Sequence, residues 1–197
     1  MQLTNEYYFF TEAIGTETCK KIIGLGEESF DEATVGHGGP ETVDTQIRTS
    51  KTAWSSDQWL YDLIWPYMEK ANAQAGWGYD IRAAEPVQIT RYEKDGFYTF
   101  HKDGKSDNFG AYNEPQNQFK HGNVRKLSIV IILNDDYEGG GFEFATLEKE
   151  KANIYTPDFS KLGSVIVFPS FMMHRVKPVT TGIRYSLVAW FLGPPFK

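Results

Sequence analysis

A chain of 197 residues is long enough for one domain with a sizeable core. Hydrophobic residues at 41% and charged residues at 23% are ordinary for a folded chain, and a net charge of -6 argues against a general nucleic-acid binder, which needs a basic face. The single cysteine, Cys19, excludes an internal disulfide; with no basic-then-apolar leader and no apolar run of membrane-spanning length, a soluble, cytoplasmic chain without membrane contact is expected.

Residues 16–28 carry Cys19, Ile22 and Ile23 at i, i+3, i+4, which predicts a short helix capped by Thr16 and weakened at its end by Gly24 and Gly26. Residues 33–44, containing His37-Gly38-Gly39-Pro40, read as a loop. The stretch 46–54, rich in Thr and aromatics, reads as a strand. Ser55 with Gln58 forms a capping-box pattern before a second helix, whose Leu60, Leu63, Ile64, Tyr67, Met68 and Ala71 share one face. Pro66 predicts a kink or early break there, and Gly76-Trp77-Gly78 the end.

From residue 84 onward the period becomes that of strands, expected at 85–92, 98–102, 126–134, 141–147, 164–169, 174–179 and 184–192. Turn signals separate them, among them Asp95-Gly96, Gly139-Gly140-Gly141, Leu162-Gly163 and Thr181-Gly182. Residues 129–133 are continuously apolar, as in a strand buried on both faces. The stretch 104–124 is long, polar and rich in Gly and Asn, and is expected to fold over a site as a lid. Helices first and strands afterwards give an α+β, mainly β chain: a two-sheet sandwich or jelly roll with helices packed outside. The expected organisation is a single domain, with N-terminal helical support over about 1–83 and a β core over about 84–197.

The chemistry-bearing pattern is His101-Lys102-Asp103, then His174, then Arg184. Residues i and i+2 of a strand share a face, so His101 and Asp103 can reach one ion from one strand end. Two histidines and one carboxylate are the ligand set that binds non-haem Fe(II) on one side and leaves the opposite positions open. A lone His-x-Asp is a weak signal, for which a solvated turn is the plainer reading; His174 and Arg184 downstream give it weight. Arg184 opens an apolar strand and needs a partner if buried. That partner is either a core-edge carboxylate of the chain itself or the far carboxylate of a bound 2-oxoglutarate, gripped by the guanidinium fork. Ser186, on the same strand face, and Tyr92, on the strand before His101, are candidates to donate hydroxyls to it. Tyr98, Tyr112, Phe119 and Trp190 are candidates for an aromatic wall.

Several blocks together resemble the Fe(II)/2-oxoglutarate-dependent oxygenases of the prolyl hydroxylase type. They are Ile47 to Trp54; Val87 to Tyr92 with Gly96, Tyr98, His101 and Asp103; Lys126 to Asn134 with the following Asp135 to Phe144; and Gly163 to Pro169 with His174, Arg184, Ser186 and Trp190. The resemblance runs over about residues 46–192. It implies a double-stranded β-helix with N-terminal buttressing helices. It implies His101, Asp103 and His174 as iron ligands, Arg184 as the 2-oxoglutarate anchor, and Tyr92 as a hydrogen-bonding partner of that co-substrate. It places Trp190 near the site and makes Tyr98 a substrate-pocket aromatic. O2 is the further co-substrate, ascorbate supports activity, and a prolyl residue of a protein or peptide is the favoured substrate. Two departures stand out. Collagen-type enzymes carry a lysine where this chain has Arg184, and the oxygen-sensing branch carries a tyrosine where this chain has Ile132, which makes Thr90 or Ser186 the replacement partner. Other readings are the same chemistry on a free amino acid, another side chain or a small metabolite, and a non-catalytic jelly-roll binding module. The last predicts an eroded triad, which the sequence does not have.

Overall fold

The computed structural model describes residues 5–36, 42–104, 110–148 and 151–196. In chain order the first elements are β1 (Tyr8–Phe10), α1 (Thr16–Glu27), β2 (Asp31–Glu32), β3 (Arg48–Thr49), β4 (Lys51–Ser55), α2 (Gln58–Gln74), β5 (Ala83–Ala84), β6 (Val87–Tyr92) and β7 (Phe97–His101). The strands that follow are β8 (Val124–Ile132), β9 (Glu138–Gly139), β10 (Phe142–Glu148), β11 (Lys151–Tyr155), β12 (Val165–Pro169), β13 (Met173–Val176), β14 (Val179–Thr181) and β15 (Arg184–Gly193).

The major sheet runs β1-β12-β8-β15-β6-β4-β2, with β5 paired to β15; the minor sheet runs β11-β10-β13-β7-β3, and β9 pairs with β14. The architecture is the expected α+β, mainly β jelly roll. Alternation along the strands builds two cores from one major sheet. On β8, Leu127, Ile129 and Ile131 join Leu60, Ile64 and Met68 of α2 and Ile22 of α1 in an outer core. Val130 and Ile132 of the same strand face inward, against Phe142 and Phe144 of β10 and Val176 of β13. The continuous apolar run of β8 thus reflects burial on both faces. β15 divides likewise: Leu187, Ala189 and Phe191 go to the outer core, which leaves Arg184, Ser186, Val188 and Trp190 on the face toward the inter-sheet space.

Local details depart from the sequence reading. Thr16 is the first residue of α1, and Gly15 holds the cap position without a side-chain bond. Asp57, not Ser55, caps α2, again without a side-chain bond; Ser55 ends β4, and its hydroxyl accepts the Asp57 N–H. Pro66 lies inside α2, which continues through it to Gln74. The stretch expected as one strand at 46–54 is two, β3 in the minor sheet and β4 in the major, parted at Ser50. The N-terminal part therefore supplies β1, β2 and β4 to the major sheet and β3 to the minor, in addition to helices. Alternation gave no hint of β1 or β11, which pair β12 and β10 at the sheet edges. No helix among the described residues is long and apolar enough to cross a membrane.

Candidate functional site

β7 and β13 are antiparallel neighbours in the minor sheet, and their register sets His174 directly opposite His101. The chain leaves β7 after His101, and the Asp103 N–H donates to the Ser170 carbonyl at 2.9 Å, which turns the carboxylate back toward the two rings. Asp103 Oδ1 lies 3.8 Å from His101 Nε2, and Oδ2 lies 3.7 Å from His174 Nε2. One donor atom from each residue falls within 4.8 Å of the other two. Each ring's Nδ1 is 2.8 Å from a carbonyl, of Thr99 for His101 and of Met172 for His174. With Nδ1–H donating to these carbonyls, both Nε2 lone pairs are left facing Asp103. Burial, reinforced by the neighbouring His174, pushes His101 down to about 3, so its ring is neutral. Burial alone would raise the Asp103 carboxyl; His174, His101, Arg125 and the Ser128 hydroxyl outweigh it and hold the group below its ordinary range. Two imidazole Nε2 atoms and an ionised carboxylate gathered at one point are the donor set of a divalent metal.

The three residues line a cavity of about 1030 Å³, whose wall also contains Tyr92, Arg184, Ser186, Val188 and Trp190. Arg184 is 1% exposed. Its NH1 donates to Ser186 Oγ at 3.1 Å. Its Nε and NH2 are buried with no partner among the described residues, and no carboxylate there pairs with it. The guanidinium lies 5.4 Å from the Tyr92 ring, its register partner on β6. A buried cation with two open donors is costly alone and complements an incoming carboxylate. Gly140 makes room for it: its φ is +60°, and a Cβ there would come within 2.8 Å of Arg184 Cδ. Ser186 lies between Thr90 and Ile132 in the sheet. Thr90 is fully buried and accepts the Gln88 amide at 2.7 Å; it is not part of the cavity wall, whereas Gln88 is.

Tyr98 stacks on His101, ring centroids 3.5 Å apart, and the Arg48 guanidinium lies 4.7 Å from the centroid of the Tyr98 ring. Burial pushes the Tyr98 hydroxyl up to about 12. Trp190 lies 6.0 Å from the half-exposed Trp54 and 3.9 Å from the Arg125 guanidinium. Phe119 is 60% exposed and takes no part in the wall. A polar cluster at this side had no signal in the sequence reading. Arg125 donates to both oxygens of buried Glu85, Nε to Oε1 at 2.6 Å and NH2 to Oε2 at 2.9 Å. Lys120 Nζ is 3.3 Å from Oε2, and the Tyr112 hydroxyl donates to Oε1 at 3.2 Å. Arg125 and Lys120 outweigh burial and hold the Glu85 carboxyl below its ordinary range. Of the expected lid, Tyr112, Glu114 and Lys120 line the cavity, and 105–109 lie outside the described residues. Of the loop at 33–44, Thr34, Val35 and Gly36 line it, while 37–41, which include the His-Gly-Gly-Pro run, lie outside the described residues.

Residues 87–192 match the family model described as the 2OG-Fe(II) oxygenase superfamily, a stretch that holds His101, Asp103, His174 and Arg184. A PKHD-type hydroxylase of Synechococcus sp. (strain CC9902) is 34% identical over 112 residues, 56% of this chain and 42% of the relative. A PKHD-type hydroxylase of Idiomarina loihiensis is 24% identical over 185 residues, 91% of this chain and 74% of the relative. The chain thus spans less than half the length of the cyanobacterial relative it matches. Among solved structures, the viral collagen prolyl hydroxylase of Paramecium Bursaria Chlorella virus-1, in its 2OG complex, superposes with a TM-score of 0.66 at 18% identity, covering 96% of this chain and 97% of that one. A Trichoplax adhaerens prolyl hydroxylase in complex with a hypoxia inducible factor peptide fragment does so with a TM-score of 0.63 at 16% identity, covering 95% and 84%. These likenesses share the jelly-roll fold.

Proposed function

The chain belongs to the 2OG-Fe(II) oxygenase superfamily, and from that membership we propose that it is an Fe(II)- and 2-oxoglutarate-dependent dioxygenase acting on a prolyl residue of a protein or peptide. One observation carries the reading: three ligand atoms gathered within 4.8 Å share a cavity with a buried arginine that keeps two donors open. His101, Asp103 and His174 are the residues that would hold the iron, and Arg184 the far carboxylate of 2-oxoglutarate. Bound iron and 2-oxoglutarate supply the oxidising power, with O2 consumed and succinate and CO2 released as an unactivated C–H is hydroxylated. The chain's own part is binding, orientation and exclusion of water. Arg184 fixes one end of the co-substrate before chemistry begins, with Ser186 holding its NH1 and Tyr92 its flank. The Thr99 and Met172 carbonyls keep the Nδ1 protons and leave Nε2 free to bind.

For the substrate, the apolar area that Tyr98, Trp190 and Trp54 contribute to the cavity wall suits a compact apolar ring such as pyrrolidine. The printed names of the relatives, PKHD-type hydroxylases and prolyl hydroxylases, one of them with a peptide bound, support the same class. The test is succinate formation from Fe(II), ascorbate and 2-oxoglutarate, with and without proline-containing peptides and free proline. Wild type is expected to form succinate faster with peptide and to add one oxygen to it, and His174→Ala to do neither. Succinate formation by His174→Ala at the wild-type rate contradicts the ligand assignment; stimulation by free proline alone contradicts the peptide assignment.

A further inference from the structure

Asp103 is the one residue of the triad that no strand holds: β7 ends at His101, two residues earlier. We propose that Ser128, with Ser170 behind it, is the positioning device that aims the Asp103 carboxylate at the metal, an inference that rests on the iron-site reading above. The Ser128 hydroxyl lies 2.6 Å from Asp103 Oδ2 and 2.9 Å from the Ser170 hydroxyl. An ionised carboxylate only accepts, so the single Ser128 proton goes to Asp103. The Ser170 hydroxyl must then be the donor to Ser128, and the chain of bonds has one direction: Ser170 to Ser128 to Asp103. Ser170 grips the same residue a second time, its carbonyl accepting the Asp103 N–H at 2.9 Å. Its own N–H is tied to the Lys126 carbonyl at 3.0 Å. Backbone and carboxylate of the ligand are therefore both referred to one point of the major sheet.

The placement is specific. Both serines are 0% exposed. Ser128 interrupts the apolar sequence of β8, beside Phe168 of β12 and Trp190 of β15. Sheet pairing alone does not call for a hydroxyl there, since alanine would fit the same backbone. With Oδ2 committed to Ser128, Oδ1 is the carboxylate oxygen that accepts no hydrogen bond among the described residues. The Ser128 bond thus orients a carboxylate whose two oxygens face the two rings, Oδ1 3.8 Å from His101 Nε2 and Oδ2 3.7 Å from His174 Nε2. Partners of this kind govern metal affinity by about 10–100-fold.

The experiment compares Mn(II) affinity, by calorimetry, with the melting temperature of the metal-free protein for wild type, Ser128→Ala, Ser170→Ala and Ser128→Thr. The expected result is a loss of about 10–100-fold in Mn(II) affinity for Ser128→Ala and a smaller loss for Ser170→Ala. Metal-free melting should stay close to wild type, and Ser128→Thr, which keeps the hydroxyl, should recover affinity. Wild-type affinity in Ser128→Ala overturns the proposal. So does a parallel collapse of metal-free stability in both alanine variants, which makes the serines supports of the fold alone. Failure of wild type to bind Mn(II) at all strikes the iron-site reading instead, so the two failures are distinguishable.

Discussion

Arg184 is the residue whose burial makes least sense without a ligand. It is almost fully buried, its Nε and NH2 have no partner among the described residues, and Ser186 satisfies only NH1. Unmet donors on a charged group cost on the order of 1–3 kcal/mol or more. Arg184→Met removes that cost while keeping much of the volume. It is expected to leave the metal-free protein at least as stable as wild type in thermal melts, and to weaken 2-oxoglutarate binding by on the order of 100-fold, since two charge-assisted bonds are lost. A destabilised Arg184→Met protein with unchanged 2-oxoglutarate affinity would make Arg184 a structural residue. Glu85 is the opposite case, a buried carboxylate fully engaged by Arg125, Lys120 and Tyr112. Its pKa is lowered on folding, so the cluster contributes stability that is present in full above the ordinary value of 4.5 and is lost as pH falls through the lower folded value. Urea melts should therefore show wild type losing stability below about pH 4.5 more steeply than Glu85→Gln, which cannot titrate at this position. At neutral pH the same variant, having broken a buried pair on one side, should be less stable by about 3–5 kcal/mol.

At the scale of elements, β8 and β15 do two tasks with one alternation. Odd residues such as Ile129 and Leu187 pack toward the helices, and even residues such as Val130, Ile132 and Val188 pack between the sheets, so a change of register would empty both cores at once. The turn before β12 depends on Gly163, at φ +74°, where a Cβ would lie 2.0 Å from the Ile14 carbonyl oxygen. Gly163→Ala is expected to lower stability by more than ~1 kcal/mol, measured by denaturant melts, because both conformation and space are wrong for a side chain. Strong periodicity made the long elements legible: the apolar faces of α1 and α2 and the two-sided burial of β8 follow directly from residue type and spacing. The helix starts were not, because the expected side-chain caps at Thr16 and Ser55 are absent, and Gly15 and Asp57 take those places through backbone geometry. Nor were the edge strands β1 and β11, which are identified by what they pair with rather than by their own pattern. The split of 46–54 between two sheets lies in tertiary pairing, to which local propensity is blind.

For the whole molecule, two antiparallel sheets bring together residues as distant in sequence as His101 and Arg184 around one cavity. His101, Asp103, His174 and Arg184 could be picked out in the sequence by the His-x-Asp spacing, by their order along the chain and by the resemblance that these blocks carry, and the fold brings all four to one cavity. The Glu85–Arg125 cluster and the Ser128–Ser170 pair could not, since buried ion pairs and hydroxyls are common and only the fold shows what they face. Metal and co-substrate bind the folded state alone, so saturating both should raise the melting temperature, a ligand at 100 times its Kd being worth about 2.7 kcal/mol. The most direct test of the site is calorimetric titration of 2-oxoglutarate into wild type and His174→Ala, each with and without Mn(II). Tight binding is expected only to metal-loaded wild type. Equal binding with and without metal, or undiminished metal-dependent binding by His174→Ala, would contradict the assignment of this site.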